Sequence, residues 1–218
     1  MATRYYPKKL IVEGQQDKRV IPELIEAYGI PWEKAKRELI VYIQSYGSDN
    51  FIDTAIISTE LKASSLEALG IIIDADKNPE GRWQSIRNAC LPSIPEIPQD
   101  LPATGLVQTT PNNIQFGIWI MPDNQLQGML ETFLSYLIPD ESEALWQYAQ
   151  TVVLEAKKHG ATYKDVHLDK ANIYTWLAWQ NPPGRQLQNA IQEQIFQPGH
   201  PTAQKFVDWF RKLYRIRV

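Results

Sequence analysis

Acidic residues come at or just after three of the four strands that the sequence predicts, and they are the clearest sign of chemistry in the chain. They are Glu13, the pair Asp74 and Asp76, and Asp123. The carboxyl ends of parallel strands meet at one edge of an open sheet, which is where ligands bind. We therefore expect these carboxylates to converge in one crevice.

Each of these acids also has a purely structural interpretation. Glu13 can end a strand in a turn, and Asp74 with Asp76 can cap the next helix. Asp123 follows a proline and suits a turn, while Glu131, two turns into the next helix, suits a solvated helix face. Their coincidence at one sheet edge is what favours a functional site.

The loops that carry these acids hold no comparable cluster of cations. Carboxylates that repel one another persist in one site when a divalent cation neutralises them. Oxygen ligands without a set of His or Cys residues favour Mg²⁺ or Mn²⁺ over Zn²⁺. The sequence therefore predicts a site for Mg²⁺ or Mn²⁺.

Short apolar runs alternate with helical patterns over most of the chain. Residues 10–12, 39–43, 70–73 and 116–120 suit buried strands, and residues 105–110 suit an edge strand. Helix-spaced apolar residues lie between the buried runs. This alternation predicts an α/β fold with a parallel four-stranded sheet flanked by helices and right-handed crossovers.

Two features set the expected boundaries along the chain. Pro22 would damage a helix interior, so we expect a loop over residues 15–21 and a helix that begins at Pro22. From residue 141 onward the apolar pattern is helical throughout. We therefore expect a metal-binding catalytic domain over residues 1–140 and a C-terminal helical extension over residues 141–218.

Composition limits the classes of function. The 218 residues include 22 Lys and Arg against 25 Asp and Glu, for a formal charge of -3. This balance excludes a polybasic protein that binds nucleic acid through net charge. The lone Cys90 argues for a reducing compartment, and no apolar stretch approaches the roughly 20 residues that span a bilayer. We expect a cytoplasmic protein without a membrane partner.

The acidic motifs carry a family resemblance. Residues 10–17 read Leu-Ile-Val-Glu-Gly-x-x-Asp and residues 71–76 read Ile-Ile-Ile-Asp-x-Asp. This pair of motifs resembles the signature of the Toprim domain, which topoisomerases, bacterial primases, ribosomal-RNA maturases and nucleases of the overcoming-lysogenisation-defect (OLD) family share. Met-Pro-Asp-Asn at 121–124 and Gly-Met-Leu-Glu at 128–131 are similar to a small family of stand-alone Toprim-like proteins related to those nucleases. The resemblance covers roughly residues 8–137 and implies a Toprim-like, Rossmann-like sheet.

The resemblance also implies roles for the acids. Glu13 would be a general acid or base, or a metal ligand. Asp74 and Asp76 would bind the metal, and Asp17, the last residue of the first motif, belongs to the same set.

A second metal position and a lysine complete the implied site. Either Asp123 or Glu131 would supply the further carboxylate, so that two Mg²⁺ or Mn²⁺ ions are expected. The OLD nucleases also use a lysine C-terminal to the acids, and Lys170 is the best match here.

The implied activity is metal-dependent hydrolysis of phosphodiesters in DNA or RNA. OLD relatives fuse this domain to an ATPase that this sequence lacks, so a separately encoded ATPase of an anti-phage system is an expected partner. The alternative is a catalytically silent or repressed Toprim-like interaction subunit. Asp74-x-Asp76 also resembles the nucleophile motif of haloacid dehalogenases, but that family has it on the first strand, followed by Thr or Val rather than Lys77 and Asn78.

The C-terminus carries a local positive charge. Its basic residues either complete a helix whose apolar face packs on the core or contact backbone phosphates. Trp176 and Trp179 similarly suit either a core or a stack of bases. The basic residues in question are Arg211, Lys212, Arg215 and Arg217.

Overall fold

The computed structural model describes residues 6–34 and 38–216. A five-stranded sheet forms its centre, with the strand order β4-β1-β5-β7-β6, and β2 and β3 form a separate two-stranded antiparallel sheet. The strands are β1 (Lys8–Val12), β2 (Glu33–Lys34), β3 (Glu38–Leu39), β4 (Tyr42–Ser45), β5 (Ala68–Asp74), β6 (Leu106–Thr109) and β7 (Gln115–Met121).

Helices cover the sheet and extend beyond it. The α-helices are α1 (Gln15–Ala27), α2 (Thr54–Leu61), α3 (Pro79–Cys90), α4 (Leu130–Ser135), α5 (Glu143–Lys158), α6 (Leu168–Ala178), α7 (Leu187–Gln192) and α8 (Pro201–Tyr214). Short 3₁₀ segments lie at Asp49–Phe51, Asp140–Ser142 and Asp165–His167.

The expected fold class is confirmed. Strands β4, β1, β5 and β7 are parallel, and β6 joins β7 as an antiparallel edge strand. One strand lies later in the chain than predicted. The apolar run at 39–43 divides between β3 and β4, and β4 begins at Tyr42. The order of the parallel strands brings the ends of β1, β5 and β7 side by side.

The predicted start of the first helix is wrong, because α1 begins at Gln15 and holds Pro22 in its interior. Proline removes one helical hydrogen bond and costs about 3 kcal/mol in a helix interior. Four aliphatic residues of α1, at positions 20, 21, 24 and 25, are fully buried, and each contributes roughly 1.5 to 3 kcal/mol. Packing on the sheet therefore outweighs the local penalty, and α1 begins two residues after Glu13.

Successive residues of the strands face two separate cores, as expected for a parallel sheet covered on both sides. Leu10 and Val12 of β1 join a cluster built with α1, α4 and α6–α8, while Ile11 faces a second cluster built with α2 and α3. The acids at the strand ends thus lie between two layers of helices.

The last helix packs directly on the sheet. Gly70 of β5 and Gly117 of β7 are partners in register, and a Cβ atom at either would collide with Leu213 of α8. Trp209 Nε1 donates to the Leu106 carbonyl at 2.9 Å, and Tyr214 Oη donates to that of Lys9 at 2.8 Å. The division of the chain near residue 140 stays a prediction, although α8 shares a core with the strands.

Candidate functional site

The carboxyl ends of β1 and β5 place three acids in one crevice. Glu13 follows β1 directly, Asp74 is the last residue of the adjacent β5, and Asp76 comes two residues later. Burial raises the pKa of Glu13, and the guanidinium of Arg82 opposes that shift. Glu13 Oε2 is buried and accepts no hydrogen bond from the described residues. It therefore keeps lone pairs that a cation could use.

Asp17 joins this group from the first turn of α1. Its side chain is turned back, so that Oδ2 accepts a hydrogen bond from the Gly14 amide at 2.9 Å, and the residue is only 6% exposed. Burial raises the pKa of Asp17 to about 7; the Gly14 amide opposes the shift, while Glu131 and Glu13 add to it. Asp17 is therefore close to half-protonated at neutral pH.

Asp74 lies between the acids of α1 and those of α4. Its Oδ1 accepts a hydrogen bond from the Leu130 amide at the start of α4, at 3.0 Å. Burial raises the pKa of Asp74 well above its usual range, and the neighbouring charges of Asp17 and Glu13 raise it further. A carboxyl group in this position prefers a proton or a bound cation.

Glu131 and Lys170 form an ion pair on the C-terminal side of the crevice. Glu131, in the first turn of α4, is almost fully buried, and its Oε1 lies 3.3 Å from Nζ of Lys170 on α6. Partial burial lowers the pKa of Lys170, but the negative charge of Glu131 outweighs it, so the pKa is raised overall. Lys170 is therefore a fixed positive charge beside Asp74.

Asp123 lies apart from these contacts. Its Oδ1 accepts hydrogen bonds from the Gln125 and Leu126 amides at 3.0 and 2.8 Å, which is the role of a turn residue. Its charge acts on Tyr136, whose pKa is raised chiefly by burial. Of the two acids that could supply a second metal position, the structure thus brings Glu131 to Asp74 and holds Asp123 in its own turn.

Sequence reasoning missed two residues of the crevice. Arg82, one turn into α3, forms ion pairs with Asp76 through Nη2 and with Asp49 through Nη1. Asp49 follows β4, the strand beside β1, so the rule that singles out acids at strand ends also applied to it. For Arg82 the available signal was a cation in the helix directly after the Asp74 and Asp76 pair.

The residues fit a hydrated cation better than a closed metal cage. All the donors are carboxylate oxygens, which suit Mg²⁺ and Mn²⁺. Within residues 6–34 and 38–216, no three His, Cys, Asp or Glu side chains are arranged to hold a metal ion. Mg²⁺ commonly takes one or two protein carboxylates and keeps several waters. The free Oε2 of Glu13 beside Asp74 matches that kind of site.

A cleft opens beside Asp76. It has a volume of about 340 Å³, and its walls include Lys77, Thr132, Val166 and Asp169. Thr132 Oγ1 donates a hydrogen bond to Asp169, which ties α4 to α6 at this wall. A larger cleft of about 630 Å³ lies between α1 and α7, away from the acids.

Some of the C-terminal cations and tryptophans make packing contacts, whereas Lys212 and Arg215 are exposed. Arg211 donates to the Tyr28 carbonyl at 3.3 Å, and Arg215 ends α8 in a left-handed conformation. Arg217 lies outside the described residues. Trp176 is buried, whereas Trp179 is 40% exposed and stacks on Tyr148 with ring centroids 5.6 Å apart.

The fold and the crevice define an α/β protein with a carboxylate-rich site at the ends of its parallel strands. The chain belongs to the family described as protein of unknown function DUF3226, whose sequence model matches residues 7–215. No curated protein matches it.

Among solved structures, the chain is similar to C-terminal regions of OLD proteins. For the protein from Xanthomonas campestris pv. campestris, the identity is 16% and the TM-score 0.39, over 97% of this chain and 90% of that chain. For the protein from Burkholderia pseudomallei, the identity is 11% and the TM-score 0.38, over 97% of each chain. In the described part of the chain, no helix has the length and apolar character needed to cross a membrane.

Proposed function

We propose that this protein is a divalent-metal-dependent phosphodiester hydrolase of the Toprim type that cleaves DNA or RNA in the cytoplasm. The observation that carries the proposal is the convergence of carboxylates from β1, α1, β5 and α4 on one crevice, with Lys170 beside them. A site made only for stability would not keep several buried acids next to one another, because their repulsion lowers the stability of the fold.

Glu13, Asp74 and Asp76 would hold the metal, with Asp17 and Glu131 next to them. One or two Mg²⁺ or Mn²⁺ ions, when bound, would supply Lewis-acid stabilisation of the phosphate charge. The free Oε2 of Glu13 suits it either as a ligand or as the acceptor of a proton from water. The raised pKa of Glu13 brings it closer to the range in which a carboxylate works as a general base.

Lys170 would contribute positive charge near the reacting phosphate. Its ammonium is held by Glu131, whose buried position fixes the direction of the side chain. Lys170 is also about half exposed, so the same group can reach a ligand in the crevice. Fixed charges of this kind stabilise the charge that develops in a transition state.

Nucleic acid must reach this site against a formal protein charge of -3. Association through net charge is therefore weak, and binding would depend on metal ions and on local cations. The Toprim resemblance adds a further partner, a separately encoded ATPase of an anti-phage system that would load or activate the hydrolase. The cleft beside Asp76 offers space for a segment of the substrate.

A second candidate function is a catalytically silent or repressed interaction subunit. The specific observation in its favour is that the described residues do not gather three acids around one position. Under this alternative the purified chain would show no metal-dependent cleavage and would gain it only with a partner, or never.

Cleavage assays with two variants test the proposal. Purified protein is incubated with plasmid DNA and with structured RNA, in Mg²⁺ and in Mn²⁺. Glu13→Gln keeps the shape of the side chain but removes its charge, and we expect it to lose at least about 10²-fold in rate, as is usual for an acid or base group. Glu96→Gln, at an exposed loop position, is the matched control and should cleave like the wild type.

Two results would contradict the proposal. An active wild type whose rate survives Glu13→Gln would place the chemistry elsewhere in the chain. A wild type that is inactive under all four conditions, yet co-purifies with an ATPase and stays inactive with it, would favour the silent subunit.

A further inference from the structure

Arg82 connects two acids that belong to different strand ends. Its Nη1 pairs with Asp49 after β4, and its Nη2 pairs with Asp76 after β5. The Arg82 side chain is 17% exposed, whereas those of Asp49 and Asp76 are 47% and 45% exposed. The guanidinium is thus the inner member of this group, and the two carboxylates reach it from the rim.

The backbone of Asp76 is fixed independently of this contact. Asp76 and Gly128 exchange two backbone hydrogen bonds, of 2.9 and 2.8 Å, and Asp76 has a positive φ of 51°. The main chain of Asp76 therefore stays in place whether its carboxylate contacts Arg82 or a cation. A cation and the Arg82 fork compete for the same carboxylate oxygens, since the planar guanidinium uses them for charge-assisted hydrogen bonds.

We propose that Arg82 is a latch on the metal site, which a divalent cation must displace from Asp76 in order to bind. Asp49 continues to hold the guanidinium after Asp76 has been released. This inference rests on the proposed function, because it takes Asp76 as a metal ligand. It also gives a physical reason why no three acids are gathered in the described residues, since one of them is turned toward Arg82.

The latch acts through the fork of the guanidinium as well as through its charge. Lysine has the same charge but a single ammonium, and it cannot pair with two carboxylates in the planar geometry of arginine. Arg82→Lys therefore keeps the local field and loses the fork, whereas Arg82→Gln loses both. Arg87 on the same helix, whose Nε donates to the Pro98 carbonyl at 2.9 Å, offers a control away from the acids.

Isothermal titration calorimetry with Mn²⁺ tests the latch, with melting temperatures in EDTA to confirm that each variant is folded. We expect both Arg82→Lys and Arg82→Gln to bind Mn²⁺ on the order of tenfold more tightly than the wild type, because a charged hydrogen bond no longer has to be broken. Arg87→Gln should bind Mn²⁺ like the wild type. A wild type that binds too weakly to measure, together with an Arg82→Lys variant that binds, would support the latch equally.

The contrary outcomes separate this inference from the proposed function. If the wild type binds Mn²⁺ and neither Arg82 variant binds it more tightly, the latch is wrong, and weaker binding by both variants would mean that Arg82 supports the site. If only Arg82→Gln binds more tightly, the effect is one of net charge, and the latch is again wrong. If neither the wild type nor either Arg82 variant binds Mn²⁺, the metal site itself is overturned, and the latch with it.

Discussion

On the inner side of the crevice, Asp17 and Glu131 are almost fully buried, whereas on the rim Asp49 and Asp76 are about half exposed. The inner acids face one another, and burial raises the pKa of Asp17 to about 7. The rim acids share the guanidinium of Arg82 instead. Burial thus favours a proton on Asp17, whereas the rim acids meet a fixed cation.

This difference suggests a division of labour. Asp17 and Asp74, whose pKa values burial raises, gain most from a cation, because a bound metal ion replaces the proton that burial favours. Asp49 and Asp76 at the rim control the access of a cation to the crevice, because both are already paired with Arg82. Substitutions on the inner side should change stability and metal binding strongly. Substitutions outside the crevice should have smaller effects.

The largest expected effect is the pH dependence of stability that arises from Asp17. Without metal, the folded protein binds a proton at Asp17 between pH 4 and 7 that the unfolded chain has lost. Stability therefore falls as pH rises through this window, by on the order of 4 kcal/mol for a pKa that moves from 3.8 to about 7. Urea unfolding of the wild type and Asp17→Asn at several pH values, with EDTA present, measures the loss.

Asp17→Asn should show a flatter profile and should be more stable than the wild type above pH 7. Asp100→Asn, at an exposed position, should keep the wild-type profile and serves as the control. Parallel profiles for the wild type and Asp17→Asn would mean that Asp17 titrates normally, and the contrast between the two sides of the crevice would disappear.

A smaller effect is expected from metal binding on the inner side. Mg²⁺ or Mn²⁺ at ten times its dissociation constant stabilises the fold by roughly 1.4 kcal/mol through mass action, which corresponds to a few degrees in Tm for a chain of this size. Asp74→Asn should abolish this gain. Thermal melts with and without each ion, for the wild type and this variant, measure it.

Asp100→Asn again provides the comparison, and it should gain as much from metal as the wild type does. A wild-type Tm that does not change in millimolar Mg²⁺ or Mn²⁺ would contradict the proposal of a metal site in the crevice.

The smallest expected effect concerns how nucleic acid is held, since both sides of the crevice are acidic. If Arg215 and Arg217 contact phosphates, the double variant Arg215→Gln and Arg217→Gln should flatten the slope of log K against log[salt] by up to about two units on duplex DNA. Fluorescence anisotropy over a range of salt concentrations gives the slope. This variant keeps the chain length and the packing of Ile216.

Lys158→Gln combined with Lys164→Gln removes two exposed charges at and after the end of α5 and should leave the slope unchanged. If the double variant of Arg215 and Arg217 also keeps the wild-type slope, the C-terminal residues are structural or contact a protein partner, and nucleic acid binds elsewhere on the protein.

Local sequence patterns were sufficient for the class of fold and for the main acids. Apolar runs predicted three of the four parallel strands and placed the fourth, β4, too early, and Glu13, Asp74 and Asp76 lie at or just after the ends of β1 and β5. Local rules failed at Pro22, because burial of the aliphatic face of α1 outweighs the proline penalty. Because residues 15–21 were expected to form a loop, the prediction missed that Asp17 lies in the first turn of α1, where its side chain turns back toward the crevice.

Neighbouring residues specify which elements form and that carboxylates end them, because strand and helix periodicity and turn chemistry are local properties. Which charges meet depends instead on how the elements pack. Glu131 rather than Asp123 approaches Asp74, Lys170 arrives from a helix beyond the sheet, and Arg82 joins the ends of β4 and β5. These contacts depend on strand order and helix packing, which bring together residues distant in sequence. The periodicity of a local segment carries no information about them.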